Sequence, residues 1–249
     1  MTALFPSSYV VVIPARYASS RFPGKALADL GGKTVLRRCF EQVQQVVPKD
    51  QIIVATDDER IADECRTHGM PFAMTSSACL TGTDRVAQVA QQRSEEWFVN
   101  VQGDEPFLDP EGLTELLTAT AQANELTGVI NAYSTIAQAD EFHSPTVPKV
   151  VVNQNNRLLY ISRAAIPTTK QLTFVSANRQ IGMYAFRRDA LRQFAAHGVK
   201  TPLEAIEDVE ILRFVELGVP VQMIDVDSVG IAIDTPEDLE RAREFLATR

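Results

Sequence analysis

The chain has 249 residues, 45% of them hydrophobic, and a formal net charge of −8 at pH 7. That length and apolar content suffice for a sizeable α/β core, and the acidic balance excludes the basic surface of a nucleic-acid binder. No run approaches the roughly 18 apolar residues of a membrane span, and no signal-peptide pattern is present. The three cysteines and three histidines are scattered, so neither a disulfide framework nor a His-based metal site is expected. The expectation is a cytoplasmic protein without membrane insertion or nucleic-acid partner.

Val10–Ile13 is a β-branched apolar run and reads as a strand buried on both faces, which Pro14 is expected to stop. The loop that follows holds Arg16, Arg21 and Lys25, the hydroxyls of Ser19 and Ser20, and a single glycine, Gly24. From Lys33 to Val47 the residues Leu36, Cys39, Phe40, Val43 and Val47 recur at helical spacing. The cationic loop therefore joins a first strand to a first helix, at the carboxyl end of a sheet where open α/β folds bind ligands. It lacks the three glycines of a dinucleotide fingerprint and the Gly-Lys-Ser/Thr of a P-loop. Side chains rather than backbone amides would neutralise an anion here, and a triphosphate fits that density of charge.

Further strands are expected at Gln51–Thr56, Met70–Met74, Trp97–Val101 and Gly128–Thr135, with helices at Glu59–His68, from the Thr81 segment to Gln92, and from Pro110 to about Asn124. Asp57 and Asp58 stand at a helix start, where aspartates cap. In the second half, Val147–Asn153, Leu158–Ile161 and Gln180–Phe186 read as a small antiparallel set. Helices follow at Asp189–Ala196 and Leu203–Leu217, and strands at Val221–Asp225 and Gly230–Ile233. Thr235-Pro236-Glu237-Asp238 begins the last helix with a cap, proline at the first helical position and acids in the first turn. Two acidic positions, Asp104 and Asp234, follow predicted strands. If both open on one crevice they can hold Mg²⁺, which favours one or two carboxylates with phosphate oxygens and water. Read alone, Asp234 is equally a polar neighbour of a helix cap.

Pro14-Ala-Arg-Tyr-Ala-Ser-Ser-Arg-Phe-Pro-Gly-Lys25 closely resembles the signature loop of the sugar cytidylyltransferases, above all the 3-deoxy-manno-octulosonate (Kdo) cytidylyltransferases. Thr81-Gly82-Thr83-Asp84-Arg85 is similar to that family's Ser-Gly-Thr-Glu/Asp-Arg segment beside the cytidine, and Gln102-Gly-Asp-Glu-Pro106 and Asp234-Thr-Pro-Glu-Asp238 match its metal-binding segments. The resemblance runs from Val10 to about Leu246. It implies a three-layer Rossmann-like α/β fold with a mostly parallel sheet and a small antiparallel subdomain. It divides one domain into a nucleotide-binding half (about 8–135), a sugar-binding and dimerisation part (about 145–220) and a return to the main sheet (221–249).

By the same resemblance, Arg16, Ser19, Arg21 and Lys25 would bind the phosphates of CTP, Thr81 and Gly82 its base, and Asp104 and Asp234 the Mg²⁺. Gln102, Arg163, Gln180, Tyr184 and Glu210 would line the acid-sugar pocket. Arg163 has the planar fork that suits a carboxylate, although a surface position is the plainer reading of that residue. Tyr184 could equally be a core aromatic and Glu210 a solvated helix residue. The implied reaction is attack of the anomeric hydroxyl of a 3-deoxy-2-ulosonic acid on the α-phosphorus of CTP, with pyrophosphate leaving and no general base visible. The family's homodimer is the expected assembly.

The chain departs from the pattern at Gln180 and Cys79, which stand where the family has histidine, and at Val209-Glu210-Ile211-Leu212-Arg213, where the family reads Leu-Glu-Gln-Leu-Arg. The Gln180 departure raises the expectation that an acid other than ordinary Kdo is preferred. The alternatives are a cytidylyltransferase for a nonulosonic or amino-ulosonic acid, and a nucleotide-binding regulatory module without turnover.

Overall fold

Tyr9–Pro14 are buried without exception and form the first strand, β1, in the computed structural model, which describes residues 5–19, 21–227 and 232–248. The strand ends at Pro14, which itself belongs to it. That proline is the last rung, in register with Ala55, a strand-end position where the missing N–H is tolerated. A short 3₁₀ turn at Lys25–Leu27 precedes α1 (Val35–Gln44), which starts later than the stretch read from its apolar pattern because Thr34 caps it and accepts from the Arg37 N–H. There follow β2 (Ile52–Thr56), α2 (Glu59–His68), β3 (Phe72–Met74), α3 (Gly82–Gln91), β4 (Trp97–Val101) and α4 (Pro110–Ala121). Asp58 caps α2, and Thr81 with Asp84 forms a reciprocal capping box at α3.

The second half holds β5 (Val129–Thr135), α5 (Ala139–His143), β6 (Lys149–Val152), β7 (Leu158–Ser162), β8 (Asn178–Arg187), α6 (Arg188–His197), α7 (Pro202–Glu207), α8 (Ile211–Glu216), β9 (Val221–Asp225) and α9 (Pro236–Ala247). Three expectations change. α5 was unforeseen, being little more than one turn around the buried Phe142. The single helix expected at Leu203–Leu217 is two, because Asp208 adopts a left-handed conformation (φ 49°) and ends α7. Of the strand expected at 230–233, residues 230 and 231 lie outside the described residues, and 232 and 233 are not in a strand.

Contacts divide the chain into two compact units, one built from Ser8–Thr114 with the C-terminal stretch that carries α9, the other from Glu115–Asp227. In the first, four parallel strands run in the order β3-β2-β1-β4. Leu30, Val35 and Cys39 pack there against Ile233, Leu239 and Ala242, so α9 seals the side of α1. In the second, β5 lies between β8, antiparallel, and β9, parallel, and β6 pairs antiparallel with both β7 and β8. The architecture is a Rossmann-like α/β fold with a mixed, mostly parallel sheet and a small antiparallel set.

The second unit encloses a buried ion pair. Arg213 donates to both carboxylate oxygens of Glu204 at 2.6 and 2.7 Å, with both side chains shut off from solvent, and its guanidinium lies 3.7 Å from the Phe194 ring centre. Glu204 also accepts from the Thr201 N–H, so the same carboxylate caps α7 and anchors α8. Removing one partner strands a buried charge. Glu204→Ala should therefore lower the unfolding free energy by about 3–5 kcal/mol, measured by urea denaturation, with a far smaller loss expected for the exposed Arg192–Asp189 pair.

Candidate active site

The first unit gathers its charges at the carboxyl ends of β1 and β4. Gly103 follows β4 so closely on β1 that a Cβ there would stand 2.8 Å from the Pro14 carbonyl oxygen, which is why no larger residue fits. That approach sets Asp104 beside the cationic loop. The loop itself folds around Tyr17, whose carbonyl accepts from the N–H groups of Ser19 (3.0 Å) and Gly24 (2.8 Å). Gly24 sits at φ 76°, with the Tyr17 ring where a side chain would be. The Arg60 guanidinium lies 3.2 Å from the centre of that ring.

Lys25 is the hub. Its ammonium donates to Asp104 Oδ2 at 2.5 Å and to Asp234 Oδ1 at 3.0 Å, and Arg21 reaches the other oxygen of Asp234 at 3.0 Å. Asp234 arrives by a different route: its N–H and that of Thr235 both donate to Asp238, the acid of the α9 capping box. The residue is therefore both a helix-cap neighbour through its backbone and a site carboxylate through its side chain. The Asp104 carbonyl accepts from the Ile233 N–H at 2.8 Å, which ties the two aspartate segments together.

Thr81 stands at the start of α3 as its cap, with Gly82 the first helical residue. Ser19 is buried and Arg16 is exposed, the one cation of the loop's three with no ion pair given among the described residues. Gln102 follows β4, partly buried. Cys79 lies in the loop before Thr81, its thiol held above the usual value by burial.

The remaining sugar-pocket candidates belong to the second unit, and the structure gives each a local role. Arg163 directs its guanidinium at three backbone carbonyls, those of Glu207 (2.6 Å), Pro145 (3.0 Å) and Asp208 (3.1 Å), closing the end of α7. Tyr184 is buried and stacked on Phe186, the core-aromatic reading of that position. Glu210 is half-buried at the start of α8. Gln180 donates to Asn131 Oδ1 at 2.9 Å. Asn131 in turn gives its amide hydrogens to the carbonyls of Ile181 and Met183, where the β5–β8 register slips. Sequence reasoning missed Asn131, which carries no motif and is recognisable only from the strand pairing. It read Asp57 with Asp58 as capping, whereas Asp58 alone caps α2 and Asp57 pairs with Arg85, a residue within the Thr81–Arg85 segment to which no role was given.

A cytidylyltransferase family model matches residues 10–223. Two relatives named 3-deoxy-manno-octulosonate cytidylyltransferase are similar almost end to end: that of Syntrophotalea carbinolica, 39% identical over 96% of this chain and 98% of its own, and that of Parabacteroides distasonis, 40% identical over 97% and 99%. The chain belongs to the 3-deoxy-manno-octulosonate cytidylyltransferase family. A solved structure of CMP:2-keto-3-deoxy-manno-octonic acid synthetase complexed with CTP superposes with a TM-score of 0.90 at 34% identity, covering 97% of this chain and 99% of that one. A cytidylyltransferase from Leptospira borgpetersenii, 15% identical with a TM-score of 0.67 over 97% of this chain and 87% of its own, shares the fold.

Lys25 is electrostatically coupled to both aspartates. Burial alone would lower the Lys25 ammonium, but Asp104 and then Asp234 outweigh it and hold it above its ordinary value of 10.5. A raised lysine stabilises the folded state below the unfolded-state value, and the contribution disappears as pH climbs through the folded value. Calorimetry from about pH 8 to 12 should therefore show the wild type losing an increment of melting temperature above about pH 10.5. Lys25→Met should lack that alkaline increment.

Proposed function

We infer that the protein transfers CMP from CTP to the anomeric hydroxyl of 3-deoxy-manno-octulosonate, releasing pyrophosphate. The observation that carries this reading is the convergence of Lys25, Asp104 and Asp234 on one point, in a chain that belongs to this family throughout its length. The anomeric oxygen forms a bond to the α-phosphorus while the bond from that phosphorus to the bridging oxygen breaks. Pyrophosphate departs with the electron pair, and the hydroxyl proton passes to solvent. Charge accumulates on the leaving group, so cations must stand where it forms. Arg16, Arg21 and Lys25 supply them, and the Ser19 and Gly24 amides are already committed to holding the loop's shape.

Magnesium is part of the proposal. Among the described residues no three His, Cys, Asp or Glu side chains converge, but a magnesium ion bound with a triphosphate needs only one or two carboxylates. Asp104 and Asp234 fit that requirement, because both already reach a single cationic centre, the Lys25 ammonium. When bound there, the metal would neutralise phosphate charge and polarise the phosphoryl oxygens. The base falls to the small-residue loop 75–81 and the start of α3, and Gln102 to the sugar.

Gln180 need not change the sugar accepted. Its side-chain amide donates to Asn131 within the β5–β8 pair, so the glutamine has a partner inside the strand pair. No helix among the described residues is long and apolar enough to cross a membrane. A second copy of the chain is the proposed partner; exposed Leu159, Leu172, Val175 and Ile206 of the second unit supply apolar surface for it.

A pyrophosphate-release assay tests the reading. Turnover should require Kdo and a divalent cation and should favour CTP over ATP, GTP and UTP; equal rates with ATP, or full activity in excess chelator, would contradict it. Asp104→Asn and Asp234→Asn should each lower kcat by about a hundredfold or more with the fold intact.

A further inference from the structure

The loop 75–81 is exposed at Ser76, Ser77, Ala78 and Leu80, yet it is fastened from beneath at both ends to a single helix. At its far end Thr81 caps α3 through the box with Asp84. At its near end Arg85, on the same helix and 4% exposed, donates from Nη1 to the Thr75 hydroxyl at 2.7 Å and to the Ser76 carbonyl at 3.4 Å. Gln88, one turn further on, accepts from the Ser76 N–H at 2.8 Å. The Thr75 N–H donates to the Thr56 carbonyl at 2.7 Å, so the loop also hangs from the end of β2. Immediately beyond Thr56, Asp57 meets Arg85 Nη2 at 2.9 Å.

Asp57 is not the helix cap; that is Asp58. An arginine so thoroughly removed from water requires a counter-charge, and replacing such a pair by apolar residues is often neutral for stability. Stability alone therefore gives no reason for an arginine at position 85. What an apolar residue could not do is hold Thr75 and Ser76 from one planar fork while Asp57 fixes the fork's orientation.

We propose that Arg85, oriented by Asp57, is a positioning residue that sets the shape in which the loop 75–81 meets the nucleotide base. Its consequence is selection of cytosine, with no part in the phosphoryl chemistry. This rests on the reading of that loop as the base site. A loop pre-shaped to hydrogen-bond one base rejects another by leaving its own polar groups unpaired, so loosening the clamp weakens CTP binding and lets UTP compete.

The test uses steady-state kinetics with CTP and UTP on the whole protein, comparing wild type with Asp57→Asn, Arg85→Lys, Thr75→Val and Thr75→Ser. Thr75→Val removes the hydroxyl that Arg85 grips without touching the buried pair, so the test survives if the Asp57 or Arg85 variants fail to fold. The clamp predicts KM for CTP raised about tenfold, the equivalent of one lost hydrogen bond to a charged group. It also predicts a fall in the CTP-over-UTP preference, kcat at saturating CTP within about threefold, and an unchanged KM for the sugar acid. Thr75→Ser, which keeps the hydroxyl that Arg85 grips, should recover most of the CTP affinity and base preference lost in Thr75→Val. An unaltered KM for CTP and an unaltered base preference in folded variants would overturn the proposal, as would equal losses with both nucleotides accompanied by a lower melting temperature. A wild type with no preference for CTP would instead refute the base-site reading itself, before any variant is considered.

Discussion

One ammonium joins three segments that the sequence keeps far apart. Lys25 lies in the loop after β1, Asp104 in the turn after β4, and Asp234 at the entry to α9, and the three side chains meet at 2.5 and 3.0 Å. Two carboxylates brought this close repel unless a cation stands between them. Lys25 is that cation, and the fold around it is arranged to let the three segments approach. Gly103 permits β4's end to press on β1, the Tyr17 carbonyl gathers the cationic loop, and the capping box of α9 fixes the backbone from which Asp234 projects. The contact between Asp104 and Ile233 backbones locks the last two segments regardless of what the side chains bind.

Packing and function are linked through those same elements. α9 lies on α1 through Leu239, Ala242 and Leu246 against Leu30, Val35 and Cys39, and Phe245 meets Phe107 edge-on just past the Asp104 turn. The apolar contacts that hold the C-terminal helix in place therefore also deliver Asp234 to the site. The loop 75–81 follows a similar logic with polar contacts: its surface is open, while a buried arginine and a cap residue from α3 define its two ends.

Much of this was legible in the chain. α2, β4 and β9 lie where their patterns put them, because each is bounded by turn or cap residues and filled with one kind of periodicity. The cationic loop and Asp104 were visible as charges set directly after buried strands, whereas residues 232 and 233 before Asp234 are not in a strand. The failures have physical causes. Nothing in Ile206-Glu-Asp-Val-Glu210 signals a break, since Asp208 takes a left-handed turn usually left to glycine or asparagine. The Glu204–Arg213 pair spans that break and looks like ordinary helix-surface charge until its burial is known. The three carbonyls that the Arg163 guanidinium meets are brought near it only by tertiary structure. Gln180 and Asn131 find each other across two strands and a register slip, which no spacing rule anticipates.

The role proposed for this charged cluster is to direct the sugar's own anomeric oxygen onto the α-phosphorus of CTP. Kdo labelled with ¹⁸O at the anomeric hydroxyl and followed by ³¹P NMR tests it most directly. The expected result is an ¹⁸O-shifted phosphodiester resonance in the CMP-sugar, formed one for one with unlabelled pyrophosphate. A product phosphodiester without the label, or CTP consumed with no sugar ester formed, would contradict it.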